Sequence, residues 1–264
     1  SRLVDLLDMR FPHLDDAAIT ILHLLTHPSG LPAYFEGESV DDHEAFWRER
    51  PMYALRRPDD YAPLFADRAP ESSPGERFAY SNAGYIVLGL IVQQASGRAF
   101  SDYVEKEILS RCGMHRSGYY AMDKLPQRTA LSYIREDDGA YRTNIYSVPV
   151  IGSADGGALS TAEDLGTFWR ALEEHRLLND ETTEQMLTVH VETGNRPPRT
   201  HYGYGLWIDR VDSAARKHFL EGSAPGVACR SAYYPRDDAT LTLIGNTQRA
   251  LWPLYTAIEK ALGL

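Results

Sequence analysis

A phenol and a carboxamide two residues apart, Tyr80 and Asn82, open an apolar helical pattern that runs from Asn82 to Ala95 and ends at Gly97. Pro74-Gly75-Glu76 sets a turn just ahead of them, so the pair stands at a helix entrance, where side chains can face a cleft. A phenol placed there can pass a proton once neighbouring cations lower its pKa. The carboxamide beside it can orient a substrate carbonyl or N–H. The same residues also have a bland use, with Ser81 or Asn82 capping the helix and Tyr80 packing.

Other chemical constellations are thin. His23 and His27 stand four apart on a helical segment, a spacing that suits a shared metal. No glutamate follows His23 and no third ligand offers itself, so capping or core packing is preferred and no metal is expected. There is no Gly-x-Ser-x-Gly elbow and no Gly-rich phosphate loop, so neither an α/β-hydrolase nucleophile nor a nucleotide cofactor is expected. Cys112 and Cys229 form no Cys-x-x-Cys pair and read as separate reduced thiols.

Composition bounds the partners. Of 264 residues, 43% are hydrophobic and 24% charged, ordinary values for a soluble fold with one full core. The net charge of -10 argues against nucleic acid, which needs clustered Lys and Arg, and leaves a small ester, amide or peptide substrate open. No run approaches the roughly 20 apolar residues of a membrane span, and no signal-peptide pattern is visible.

The elements that must position Tyr80 and Asn82 fall into two textures. Ile19 to His27 reads as a helix stopped by Pro28-Ser29-Gly30, and residues 32 to 79 as proline-rich short helices and loops. A helix is expected from Ser101-Asp102 to Cys112-Gly113. A capping box from Ser160 to Glu163 starts another through Trp169 and Leu172, and a shorter one spans Asp180 to Leu187. Beyond His201 the texture changes to strands, at Tyr202 to Ile208, His218 to Gly222, Val227 to Tyr234 and Thr240 to Ile244. The last alternates Thr and Leu, as a strand with one buried face does, and a helix from about Leu251 to Leu262 closes the chain. Helices first and strands last predict an α+β fold, an antiparallel sheet flanked by helices plus a helical lobe. The expectation is a single domain over 1–264, with about 20–200 mainly the lobe and about 201–264 the strands and last helix.

Four stretches, taken in order, are more specific than any one of them. Ile19-Thr20-Ile21-Leu22-His23-Leu24-Leu25-Thr26-His27-Pro28-Ser29-Gly30-Leu31-Pro32 resembles the segment after the nucleophile helix in penicillin-binding proteins and class C β-lactamases. Pro74 to Tyr85 resembles that family's second catalytic motif with its flanks. Gly113-Met114 with Ser117-Gly118-Tyr119, and Asp155 to Leu165, resemble its next two landmarks. The resemblance spans essentially the whole chain. It implies a β-lactamase/transpeptidase-like fold with the active site in a groove between sheet and lobe.

Carried over residue by residue, the resemblance makes Tyr80 the proton-transfer tyrosine and Asn82 the asparagine that contacts the substrate's amide. Gly222 matches the glycine of the third motif, where substrate lies flat against a strand. Leu220 stands where that motif has its cation, in a Glu-Gly-x-x-Pro-Gly version shared with a branch of the family. The family's nucleophile lies in Ser-x-x-Lys. The only lysines are Lys106, Lys124, Lys217 and Lys260, and three positions before them stand Tyr103, Ala121, Ala214 and Ala257, so that motif is absent from this sequence. The resemblance therefore implies a serine hydrolase acting on an ester, amide or lactam through an acyl-enzyme, with the nucleophile segment, first strands and central helix missing. A separate N-terminal chain carrying Ser-x-x-Lys is one way to complete it. The alternative is a non-catalytic binding protein that keeps the groove. With the central helix missing, the apolar faces of Ile19–Leu25 and of the helix from Asn82 are expected to lack a partner.

Overall fold

In the computed structural model, which describes residues 5–8, 11, 18–34, 50–194 and 200–264, helices come first and a six-stranded sheet last. Helix α1 (Ile21–Leu25) starts where the Thr20 hydroxyl accepts the His23 amide. It stops after one turn and a half, earlier than the apolar pattern suggested, and His27 beyond it takes a left-handed φ of 70°. Gly30 follows with φ 75°, where a Cβ would stand 2.1 Å from the Ser72 carbonyl oxygen, so only glycine fits this turn. Residues 35–49 of the proline-rich stretch lie outside the described residues. The rest of it forms two 3₁₀ turns, Met52–Ala54 and Ala62–Leu64, around α2 (Pro58–Tyr61).

Helix α3 (Asn82–Ser96) is capped by Ser81, whose Oγ accepts the Gly84 amide at 3.3 Å, and closed by Gly97 at φ 67°. Helix α4 (Phe100–Val104) passes through a π-helical turn, Glu105–Leu109, into α5 (Ser110–Cys112). Helix α6 (Ala162–Glu173) corrects the expected capping box. Its cap is Thr161, which accepts the Asp164 amide at 3.1 Å. Ser160 instead meets the Ser117 hydroxyl at 2.8 Å, because Asp164 is drawn to that loop by Ser117 Oγ and the Arg116 amide. Helix α7 (Asp180–Leu187) is capped by Asn179, and α8 (Leu251–Leu262) closes the fold.

A small hairpin pairs β1 (Tyr133–Arg135) with β2 (Tyr141–Thr143). The main sheet is an antiparallel meander of β3 (Val191–Glu192), β4 (Thr200–Tyr202), β5 (Trp207–Val211), β6 (Ala214–Ala224), β7 (Val227–Tyr234) and β8 (Ala239–Gly245). The stretch from Tyr202 to Ile208 is therefore not one strand. Gly203-Tyr204-Gly205 turns the chain so that Tyr202 pairs with Trp207. The strand of alternating Thr and Leu also uses both faces. Leu241 and Leu243 pack with Phe219, Tyr234 and Tyr255 under α8, while Thr242 bonds Ser231, which accepts the Trp169 indole N–H of α6.

The apolar faces of α1 and α3 are not left bare. Ile19, Leu24, Ile86, Val87 and Leu90 are buried in one cluster with Phe11, Tyr34, Leu55, Tyr61 and Phe65. Helical periodicity shows a face in need of cover but not the loop aromatics that supply it. Among the described residues no helix is long and apolar enough to cross a membrane. Cys112 and Cys229 are free thiols on separate elements.

A buried charge pair ties α8 to the sheet. Lys217 Nζ lies 2.6 Å from Glu259 Oε1, which also accepts from Tyr234 at 2.8 Å and faces Arg216 at 3.3 Å. Burial alone would raise the Glu259 carboxyl, but the bonds from Lys217 and Tyr234 outweigh it and hold the pKa below the usual range. Its contribution to stability is thus present above the unfolded carboxyl's pKa and is lost as pH falls. Removing Glu259 strands a buried ammonium, whereas removing Lys217 leaves Glu259 two partners. Glu259→Gln should therefore cost about 3 kcal/mol and Lys217→Met about 1 kcal/mol in urea unfolding at neutral pH. The opposite order would show that the carboxylate is not the hub.

Candidate active site

The local chain places a histidine where three elements meet. The left-handed turn after α1 carries His27 inward until it is 1% exposed, between the loop that leads into α3 and strand β4. Its Nδ1 accepts the Ser81 amide at 3.1 Å, so the ring proton sits on Nε2 and is donated to the Tyr202 hydroxyl, also at 3.1 Å. Tyr85 stands near enough to Tyr202 for the two phenols to act on each other electrostatically, and its hydroxyl donates to the Leu25 carbonyl at 3.0 Å. Burial drives the imidazole pKa down to about 3, and drives the Tyr85 and Tyr202 phenols up. The histidine is neutral and so is everything it bonds. His27 and His23 thus have separate duties, His23 packing back onto the Thr20 amide. Among the described residues no cluster of His, Cys, Asp and Glu could hold a metal.

Aromatic rings enclose this imidazole. Tyr80 lies against it with ring centres 4.2 Å apart, and Tyr202, Tyr85 and Phe78 follow at 4.8, 5.1 and 5.7 Å. On its other side Tyr80 stacks on Trp207 of β5 at 6.1 Å and 8°, and Trp207 stacks on Phe219 of β6. Despite these neighbours Tyr80 remains 39% exposed. The row of rings carries the loop before α3 onto the face of the sheet.

The three residues singled out in the sequence are placed as follows. Tyr80 is the exposed ring of the row, held between His27 and Trp207. Asn82 is the first residue of α3 and is half-buried. Because Ser81 does the capping, the Asn82 carboxamide is left without a hydrogen bond to any described residue. Gly222 is exposed on β6, paired with Cys229, and no atom lies within 4 Å of where its Cβ would stand. It comes three residues after Phe219, so it faces away from the stacked rings. Leu220 packs with Trp169, Leu172 and Tyr233. Glu221 pairs with Arg230. Tyr80 and Asn82 are therefore neighbours at the entrance to α3, whereas Gly222 shares strand β6 with Phe219 but stands on its other face.

His27, Tyr202 and Trp207 carry this geometry, yet only His27 stood within a stretch singled out for its likeness to known proteins. The density of aromatic residues in Tyr202-Gly203-Tyr204-Gly205-Leu206-Trp207 was the available signal for the others.

Comparison with known proteins agrees along the length of the chain. A family model described as Beta-lactamase matches residues 4–251. Penicillin-binding protein 4* of Bacillus subtilis is 25% identical over 92% of this chain and 55% of its own length. D-aminopeptidase of Gluconobacter oxydans is 26% identical over 82% of this chain and 39% of its own. The chain spans about half the length of the curated relatives it matches, or less. Among solved structures, that of a penicillin binding protein from Bacillus halodurans superposes with a TM-score of 0.90 and 44% identity, covering 99% of this chain and 76% of that one.

The buried neutral imidazole has a consequence for pH. Its folded pKa lies below the unfolded one, so the unfolded chain binds more protons between the two values. The stability that His27 contributes is whole above its ordinary pKa of 6.5 and drains away as pH falls towards about 3. In His27→Gln this part of the acid sensitivity should vanish. Melting temperatures measured from pH 7 to pH 4 for both proteins should fall less steeply for the variant, and parallel curves would refute the assignment.

Proposed function

Because the chain belongs to the β-lactamase family, we propose that it serves a serine hydrolase reaction on an ester, amide or lactam, with Tyr80 in proton transfer, Asn82 holding the substrate's amide and Gly222 offering a flat strand. In such a reaction a serine oxygen bonds the carbonyl carbon and the bond to the leaving oxygen or nitrogen breaks. The Tyr80 phenolate takes the proton from the serine hydroxyl and hands it to the leaving group, and water later gives its hydroxyl to the acyl carbon and its proton back to the serine oxygen. The observation that carries the reading is the division of labour at the entrance to α3. Ser81 takes over capping, Asn82 keeps its carboxamide free, and Tyr80 is fixed between His27 and Trp207 while 39% exposed. A residue present only to pack would be buried. The relatives named as a penicillin-binding protein and a D-aminopeptidase favour an amide among the three substrate classes.

His27 cannot be the cation that lowers the Tyr80 pKa, because burial keeps it neutral. In this reading the positive charge comes from the lysine of Ser-x-x-Lys, a motif these 264 residues do not contain. The same absence, together with Leu220 in the cation's place, supports the second reading, a binding protein that keeps the groove without turnover.

Two measurements separate these readings. In the full-length protein, Tyr80→Phe should slow hydrolysis of a p-nitrophenyl ester by roughly 100-fold and leave the melting temperature unchanged. A lower melting temperature with turnover per folded molecule intact would return Tyr80 to packing, and no turnover in the unaltered protein would favour the binder. The 264 residues expressed alone should take no label from fluorescent penicillin or a fluorophosphonate, since no serine stands three before a lysine. A labelled serine would overturn that expectation.

A further inference from the structure

Among the described residues one carboxylate, Asp155, is packed among phenols with no cation paired to it. Asp155 is half-buried just before the exposed Gly156 and Gly157. Tyr34, itself 7% exposed, donates its hydroxyl to Asp155 Oδ2. Tyr61 and Tyr119 stand near enough for the Asp155 charge to act on their phenols. The rings of Tyr34 and Tyr61 meet edge to face at 5.8 Å. Tyr61 is 1% exposed, yet its hydroxyl has no hydrogen-bond partner among the described residues.

A carboxylate taken out of water is normally paired with a cation, as Glu259 is with Lys217 and Arg216. Among the described residues no Lys, Arg or His forms an ion pair with Asp155. Burial accordingly raises its pKa to about 6, against the pull of the Tyr34 hydrogen bond. An anion with spare oxygen acceptors, electron-rich rings around it and a buried hydroxyl still to be satisfied together complement an ammonium group. The carboxylate and hydroxyl oxygens accept N–H bonds and the ring faces attract the charge. Tyr34 is also near enough to Tyr80 for the two phenols to act on each other electrostatically.

We propose that Asp155, with the hydroxyls of Tyr34 and Tyr61, forms a subsite for the primary ammonium group of a ligand. Resting on the hydrolase reading above, the acyl donor is then one that carries a free amine. The plainer account, a carboxyl held by Tyr34 for packing alone, recognises no amine.

Calorimetric titration of the full-length protein with benzylamine and with benzyl alcohol, at about pH 7.5 where amine and carboxyl are both ionised, tells them apart. Benzylamine should bind about tenfold or more tightly than the alcohol, the scale of a charge-assisted hydrogen bond. Asp155→Asn should bring that ratio to near one. Tyr61→Phe should cut benzylamine affinity severalfold without lowering the melting temperature, because it removes a hydroxyl that has no partner. A ratio near one in the unaltered protein, or one that survives Asp155→Asn, overturns the proposal. Should Asp155→Asn fail to fold, an unchanged benzylamine affinity in Tyr61→Phe overturns it instead. Failure of the hydrolase reading would show separately, as ester turnover indifferent to Tyr80, and would leave the titration result standing.

Discussion

His27 takes a hydrogen bond from the Ser81 amide at one ring nitrogen and returns one to Tyr202 from the other, and both bonds are buried. Breaking either would leave a polar group with no access to water, which costs about 1–3 kcal/mol. The imidazole therefore behaves as a fixed bridge between the end of α1, the entrance of α3 and strand β4. It also accepts a left-handed backbone, an uncommon conformation for a residue with a side chain, and the bonds at both nitrogens are what hold it there. The helical lobe and the sheet meet at this ring, and the stacking of Tyr80 on Trp207 follows from it.

A neutral bridge settles what the neighbourhood can do for Tyr80. Aromatic rings and a histidine whose pKa is driven down to about 3 give a phenol support and orientation, but no positive charge. Proton transfer from a phenol at neutral pH needs that charge nearby. Leu220 of β6 is packed against α6 and brings no charge either. The division is thus between the rings that hold Tyr80 in place, which are abundant here, and the charges that would drive chemistry at its hydroxyl.

Two carboxylates drawn from water, Glu259 fully and Asp155 in part, illustrate the same economy from opposite sides. Glu259 is surrounded by Lys217, Arg216 and Tyr234, and it fastens the last helix to the sheet. Asp155 has phenols in the place of cations and stands just before two exposed glycines. Burial acts on both, but their pKa values move apart because only one has opposite charge beside it. The paired group is a fastening, and the unpaired one has interaction capacity left over.

Much of this was legible before any coordinates. The order of helices and strands, the stop at Gly97, the span of the last helix and the family likeness all rest on residues close together in the chain, where periodicity and turn chemistry act. So did the pairing of Tyr80 with Asn82 at a helix entrance. The misreadings were also local. Ser160 and Thr161 are both good caps, and only the pull of Ser117 on Asp164 chose between them. The Tyr202 to Ile208 stretch looked like one strand until its glycines turned. What the tertiary structure alone decided was the set of partners that meet from far apart. His27 and Tyr202 are 175 positions apart and Tyr34 and Asp155 are 121 apart, and no local pattern encodes which ring closes on which, or which carboxylate is left without a cation.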